Sequence, residues 1–177
     1  MKQTLFALFI VCCMFSTLFG LEWRNQDSKE LGYSLSYPAK WTVMSDKPDD
    51  FSVCPSEDTG IKAKTYIRVA VTPLDKVDAL PALGSIREKV FSQFKEYAKS
   101  DSITTFQILA TLDTEVSKIP AYYVITHGKI KGTDMYFRFT YLRHNNRLYQ
   151  IIVVCPKSKF EELSTLINVA EGLFSVR

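Results

Sequence analysis

The sequence predicts an α+β fold, an antiparallel β-sheet flanked by α-helices. Three observations predict it. Short segments of alternating apolar residues recur along the chain, each ending at proline or at turn residues. Two other segments carry apolar residues at helical spacing. The composition, 46% hydrophobic and 23% charged, suits a packed globular chain and neither a disordered nor a fibrous one. At 177 residues one domain with a sizeable core is the default.

The organising stretch is Gly32-Tyr33-Ser34-Leu35-Ser36-Tyr37-Pro38-Ala39-Lys40-Trp41. Tyr33, Leu35 and Tyr37 share one face of a strand. Pro38 has no N–H to donate and stops the ladder, and Trp41 closes the start of a core. Ser45 to Asp50 is a loop by composition, and Phe51 to Cys54 is a short strand ended by Pro55. Lys64 to Thr72 is a strong strand, with Ile67, Val69 and Val71 on one face. Leu83, Ile86, Val90, Phe94 and Tyr97 then follow helical spacing, with Glu88 among the polar positions off that stripe.

Thr105–Val116 and Ala121–Ile130 read as two further strands, and Met135–Arg143 and Leu148–Cys155 as the next two. Asn145-Asn146 makes a two-residue hairpin turn, because Asn tolerates positive φ. That turn sets Arg143 opposite Leu148, Tyr141 opposite Gln150, Phe139 opposite Ile152 and Phe137 opposite Val154. Both faces of the pair are apolar, so helices are expected on both sides. The closing helix is predicted from a capping box, Ser158 at the N-cap and Glu161 reaching back. Its buried stripe is Phe160, Leu163, Leu166, Ile167 and Ala170, and Gly172 is its C-cap.

Residues 1–20 have the pattern of a secretory signal peptide: Lys2, then an unbroken apolar run from Leu5 to Val11 that Cys12, Cys13, Met14 and Phe15 extend. Cleavage is expected near Gly20, with 21–31 as a polar lead and 32–177 as the domain. Two alternatives are an uncleaved anchor over Thr4–Leu21 and lipidation at Cys12 or Cys13. The expected location is therefore extracytoplasmic, periplasmic or secreted, with a membrane tether through this segment as the alternative.

Net charge is +3, and removing residues 1–20 with Lys2 leaves +2. A nucleic-acid binder would need a basic stripe, so none is expected as a partner. The two histidines, His127 and His144, do not approach a zinc ligand set, and Asp46, Asp49 and Asp50 lack a calcium loop's spacing. No phosphate loop or nucleophile motif occurs, so no metal, cofactor or catalytic residue is expected. Cys54 and Cys155, each before a proline at a strand end, are either a disulfide or two buried thiols.

The Gly-Tyr-Ser-Leu-Ser-Tyr-Pro-Ala-Lys-Trp stretch, with the closing Leu173-Phe174-Ser175, resembles the PsbP-like proteins, which include the DcrB-type periplasmic members. The resemblance covers residues 32–177 and implies an α/β/α sandwich with a non-enzymatic accessory or binding role. The expected function is an exported monomer that presents a rigid sheet-and-hairpin surface to a protein or small ligand, with a protein or an anionic surface as the expected partner. Lys129 and Lys131 flank one hairpin turn and Arg143 and Arg147 the next, giving two small basic tips at opposite ends of the sheet. A carrier of an apolar ligand, in a pocket lined by Phe94, Tyr97, Phe137 and Phe139, is the alternative reading. A hydrolase is the third.

Overall fold

The computed structural model describes residues 21–58, 64–74 and 103–177, together with the isolated positions Ser85, Glu88 and Ser92. Strands β1 (Trp23–Ser28), β2 (Tyr33–Pro38), β3 (Trp41–Lys47), β4 (Asp50–Pro55) and β5 (Tyr66–Pro73) come first. Then follow β6 (Ile103–Val116), β7 (Ile119–Ile130), β8 (Thr133–His144) and β9 (Arg147–Pro156). Helix α1 (Phe160–Gly172) and the short β10 (Ser175–Val176) end the chain. All pairings are antiparallel, in a three-stranded sheet ordered β1-β2-β10 and a seven-stranded sheet ordered β3-β4-β5-β9-β8-β7-β6.

The register of the central hairpin is the one that Asn145-Asn146 dictates. Arg143 stands opposite Leu148, Tyr141 opposite Gln150, Phe139 opposite Ile152 and Phe137 opposite Val154. Asn145 and Asn146 have φ of 46° and 61°, the backbone that a twisted two-residue turn requires. The alternation in β5 also holds: Ile67, Val69 and Val71 are buried while Tyr66, Arg68 and Ala70 are half-buried.

Each face of the large sheet carries one apolar cluster. The first contains Tyr33, Leu35, Trp41, Phe51, Val69, Leu142, Tyr149, Ile151 and Phe174, with Ile167 and Ala170 of α1. The second is built from Val124, Phe137, Phe139, Tyr141, Ile152 and Val154. Burying a side chain of this size contributes about 1.5–3 kcal/mol. Among the described residues, the first face is covered by α1 and the three-stranded sheet together, where a helix alone was expected. The helix expected over residues 83–97 lies outside the described residues except for Ser85, Glu88 and Ser92, which are helical and exposed.

Four local expectations are corrected. Ser45 to Asp50 is not a loop: β3 runs to Lys47, β4 starts at Asp50, and Pro48-Asp49 alone turn the chain. Within the 21–31 lead, Trp23–Ser28 forms β1, because Arg24, Asn25 and Asp27 stay exposed while its backbone pairs with β2. Ser158 caps nothing. It lies inside a tight 3₁₀ turn, Lys157–Lys159, and Lys159 is the N-cap of α1 without a side-chain bond. Gly172 is the last helical residue, and the C-cap is Leu173 in a right-handed conformation.

Candidate interaction surface

The four basic residues occupy the two ends of β8 as expected, roughly 40 Å apart for a strand of this length. Their settings differ. At the first end Lys131 is exposed in the Lys131-Gly132 turn, while Lys129 stands opposite Asp134. Asp134 Oδ1 also pairs with His127 Nε2 at 3.1 Å, so an acid sits inside this tip. His127 packs on Tyr136, which meets Phe160 at the start of α1 edge to face.

At the second end the arginines are half-buried and take opposite faces. Arg143 continues the row Phe137, Phe139 and Tyr141, whereas Arg147 continues Tyr149 and Ile151, as the period of two requires. Arg143 Nη2 donates to Asn146 Oδ1 at 3.4 Å, and its Nη1 is buried without a hydrogen-bond partner. Arg147 Nη2 donates to the Glu30 carbonyl at 3.1 Å. Beside it the Tyr149 hydroxyl donates to the Leu31 carbonyl at 2.7 Å. Asn145 Nδ2 donates to the Arg177 carbonyl at 2.9 Å, and the Arg177 amide donates to the Gly32 carbonyl at 2.7 Å. Arg177 also pairs with Asp27 at 3.3 Å. The hairpin turn, the β1–β2 loop and the C-terminal strand are thus stitched into one unit.

Below this unit lies a charged contact that the sequence reading passed over. Arg138 of β8 donates through Nε (3.0 Å) and Nη2 to the two carboxylate oxygens of Glu171, and through Nη1 to Asn168 Oδ1 at 2.9 Å. Thr140 Oγ1 donates to the same carboxylate at 3.2 Å, and Tyr123 lies under the guanidinium at 5.6 Å. The Arg138 and Glu171 side chains are 17% and 11% exposed. The cation also complements the C-terminal turn of α1, where helix carbonyls concentrate negative charge. A signal was available: an arginine between Phe137 and Phe139 on an apolar strand needs a carboxylate partner, and Glu171 falls four residues after Ile167 on the helix stripe. An open cleft beside the pair is lined by Thr114, Glu115, Ser117, Tyr123, Asn168 and Gly172.

The cysteines do not pair. Both thiols are free and buried. Val53 stands opposite Ile67, which stands opposite Val153, so β5 separates the strands of Cys54 and Cys155. Two strand spacings are about 9.5 Å, beyond a disulfide's Cα reach. Burial pushes the Cys155 thiol up to about 11, and burial followed by Asp58 and Glu57 also raises that of Cys54, so both are poor nucleophiles. No group of three metal-ligating side chains occurs among the described residues. The gap between α1 and the sheet, bounded by Tyr136, Val153, Cys155, Phe160 and Ile167, is about 10 Å³, room for one water. Phe94 and Tyr97, half of the expected carrier pocket, lie outside the described residues.

The fold has known counterparts. CyanoP from Synechocystis sp. superposes with a TM-score of 0.68 at 11% identity, over 89% of this chain and 94% of that one. The cell-envelope biogenesis protein LpqN of Mycobacterium tuberculosis gives 0.58 at 8% identity, over 89% and 91%. The Ran-binding protein Mog1p of Saccharomyces cerevisiae gives 0.55 at 9% identity, over 89% and 96%. No curated protein sequence matches. The family model for PsbP matches residues 24–176, nearly all of the described chain, so the protein belongs to the PsbP family.

Proposed function

We propose that this protein is an exported, non-enzymatic accessory protein that offers its Asn145-Asn146 end to an acidic protein partner. The observation that carries the reading is the stitching of that end, which holds Arg143 and Arg147 on a braced turn with Arg177 bonded beside it. A pre-ordered surface loses little entropy on association, and its charges steer an acidic partner. The relatives agree in kind: Mog1p is a Ran-binding protein and LpqN takes part in envelope biogenesis. The signal-like residues 1–20 support export. An acid lies at each end, Asp134 at the Lys129 and Lys131 tip and Asp27 beside Arg177, so the preference for the Asn145-Asn146 end rests on its bracing.

The test is capture from a detergent extract of the cell envelope with the purified protein as bait. Arg143→Glu with Arg147→Glu should lose a salt-sensitive partner that Lys129→Glu with Lys131→Glu retains. Melting of each variant separates lost binding from lost folding. Capture that survives reversal at both ends would move the site to the helical face.

A further inference from the structure

The chain has two tryptophans, and the fold brings both to one corner. Trp23 opens β1 opposite Pro38, and Trp41 opens β3 just after β2 ends. Residues 1–20 join the fold at the same place. The Glu22 carbonyl accepts the Ala39 amide at 2.8 Å, so the chain enters beside the β2–β3 turn. Because β2 runs from the stitched end to this corner, the corner faces away from the Asn145-Asn146 turn.

Its surface is amphipathic. Arg24 and Lys40 are exposed and line one groove with Trp41 and Val43. Val43 and Met44 are 40% and 42% exposed on edge strand β3, at the irregularity between Val43 and Ser45. Trp23 is half-buried. Indole rings settle at the headgroup level of a bilayer, basic side chains extend to the phosphates, and small exposed apolar groups insert shallowly. Arg24, Lys40 and Val43 share the groove, Met44 follows Val43, and Trp23, packed partly against the core, precedes Arg24, so the three classes adjoin one another where the described chain begins at residue 21.

We infer that this corner docks on an anionic phospholipid bilayer in the form of the chain that keeps residues 1–20. Trp23 lies at the interface, Arg24 and Lys40 contact phosphates, and Val43 and Met44 enter the headgroup region. Glu22 and Glu57 border the patch, so the electrostatic attraction is modest and apolar contact contributes the rest. A modest attraction suffices, because a segment held in the bilayer makes docking intramolecular. The opposite end then points away from the membrane, toward the partner of the proposed function, although the docking does not depend on that partner.

The experiment uses the full chain with vesicles of phosphatidylglycerol and phosphatidylcholine, read by flotation and by iodide quenching of tryptophan. Trp41→Phe isolates Trp23. The unsubstituted chain serves if that variant fails to fold, read as its difference from Arg24→Glu with Lys40→Glu, because Trp41 lines the same groove and is only 8% exposed. The protein should float, and Trp23 should be quenched roughly threefold less than with phosphatidylcholine alone, as expected for a docking that needs anionic lipid. Arg24→Glu with Lys40→Glu should restore quenching while flotation persists. Removing about 1 kcal/mol of attraction per basic residue shifts the docked ratio by roughly 25-fold. Flotation with undiminished quenching, or no flotation, overturns the inference. The capture assay in detergent has no vesicles, so either reading can fail without the other.

Discussion

The two turns that bracket β8 have the same length and the same positive-φ backbone, 46° and 82° at Lys131 and Gly132 against 46° and 61° at Asn145 and Asn146. At the first turn a Cβ on Gly132 would meet nothing within 4 Å. At the second, Asn145 and Asn146 bond to Arg177 and Leu74, and Gly32 packs so closely that a Cβ there would lie 3.0 Å from the Arg177 carbonyl oxygen. One local code closes both hairpins. What differs is the tertiary use of the turn, which at the second end is braced by three chain segments. A binding surface that must not lose entropy is better placed at the braced end.

The largest expected effect breaks the brace. Gly32 has φ of 69°, so Gly32→Ala meets backbone strain of about 1–2 kcal/mol and must displace the Arg177 carbonyl, losing a further hydrogen bond of about 1 kcal/mol. Gly132→Ala meets the strain alone, about 1–2 kcal/mol, in open space. Urea denaturation should rank Gly32→Ala as the more destabilised. Equal losses would show that the stitching contributes no stability.

Alkaline pH separates the ends more gently. Burial, and then the charges of Asp46, Asp49 and Asp50, push the Tyr33 phenol from 10.0 up to about 12. Burial also raises that of Tyr149, against the hydrogen bond and charge of Arg147, which lower it. The unfolded chain releases these protons near the ordinary value while the folded chain keeps them. Their stabilisation is therefore complete below about pH 10 and is lost as pH rises toward about 12. The melting temperature should fall across that window, with hydrogen exchange rising first around Tyr33 and Leu31. A melting temperature unchanged up to pH 12 would contradict the burial of these phenols.

What the sequence disclosed follows the range of the forces. Alternation in Tyr66–Pro73 and the Asn145-Asn146 turn act over a few residues, so the strands and the register of the central hairpin were legible. The pairing of Trp23–Ser28 with β2 was not, because a polar outer strand leaves no apolar alternation to see. The tight turn at Lys157–Lys159 follows from how the chain leaves Pro156, which overrides Ser158's own preference for a cap. The choice between a disulfide and two buried thiols at Cys54 and Cys155 was open in the sequence because nothing in their spacing reveals the strand between them. Among the basic tips, position was legible and setting was not. The opposed faces of Arg143 and Arg147 could be read from the period of two, but the carbonyl of Glu30, more than a hundred residues away, could not.

The smallest effect is the one that best isolates the surface charges. Lys131 is exposed in the Lys131-Gly132 turn, so Lys131→Glu should alter stability by less than about 0.5 kcal/mol. Arg147→Glu removes the donor to the Glu30 carbonyl and places a carboxylate near Glu30 itself. A charge-assisted hydrogen bond contributes more than a neutral one, but the partial exposure of Arg147 screens it, so a loss of about 1 kcal/mol is expected. Thermal melts of the two variants in low and high salt would measure the difference. If Arg147→Glu melts like Lys131→Glu, the arginine does not brace the loop, and any binding defect of that variant reads directly as a lost contact with the partner. If it melts lower, Arg143→Glu becomes the cleaner probe of the surface, because among the described residues the hydrogen bond of Arg143, to Asn146 at 3.4 Å, lies within the turn.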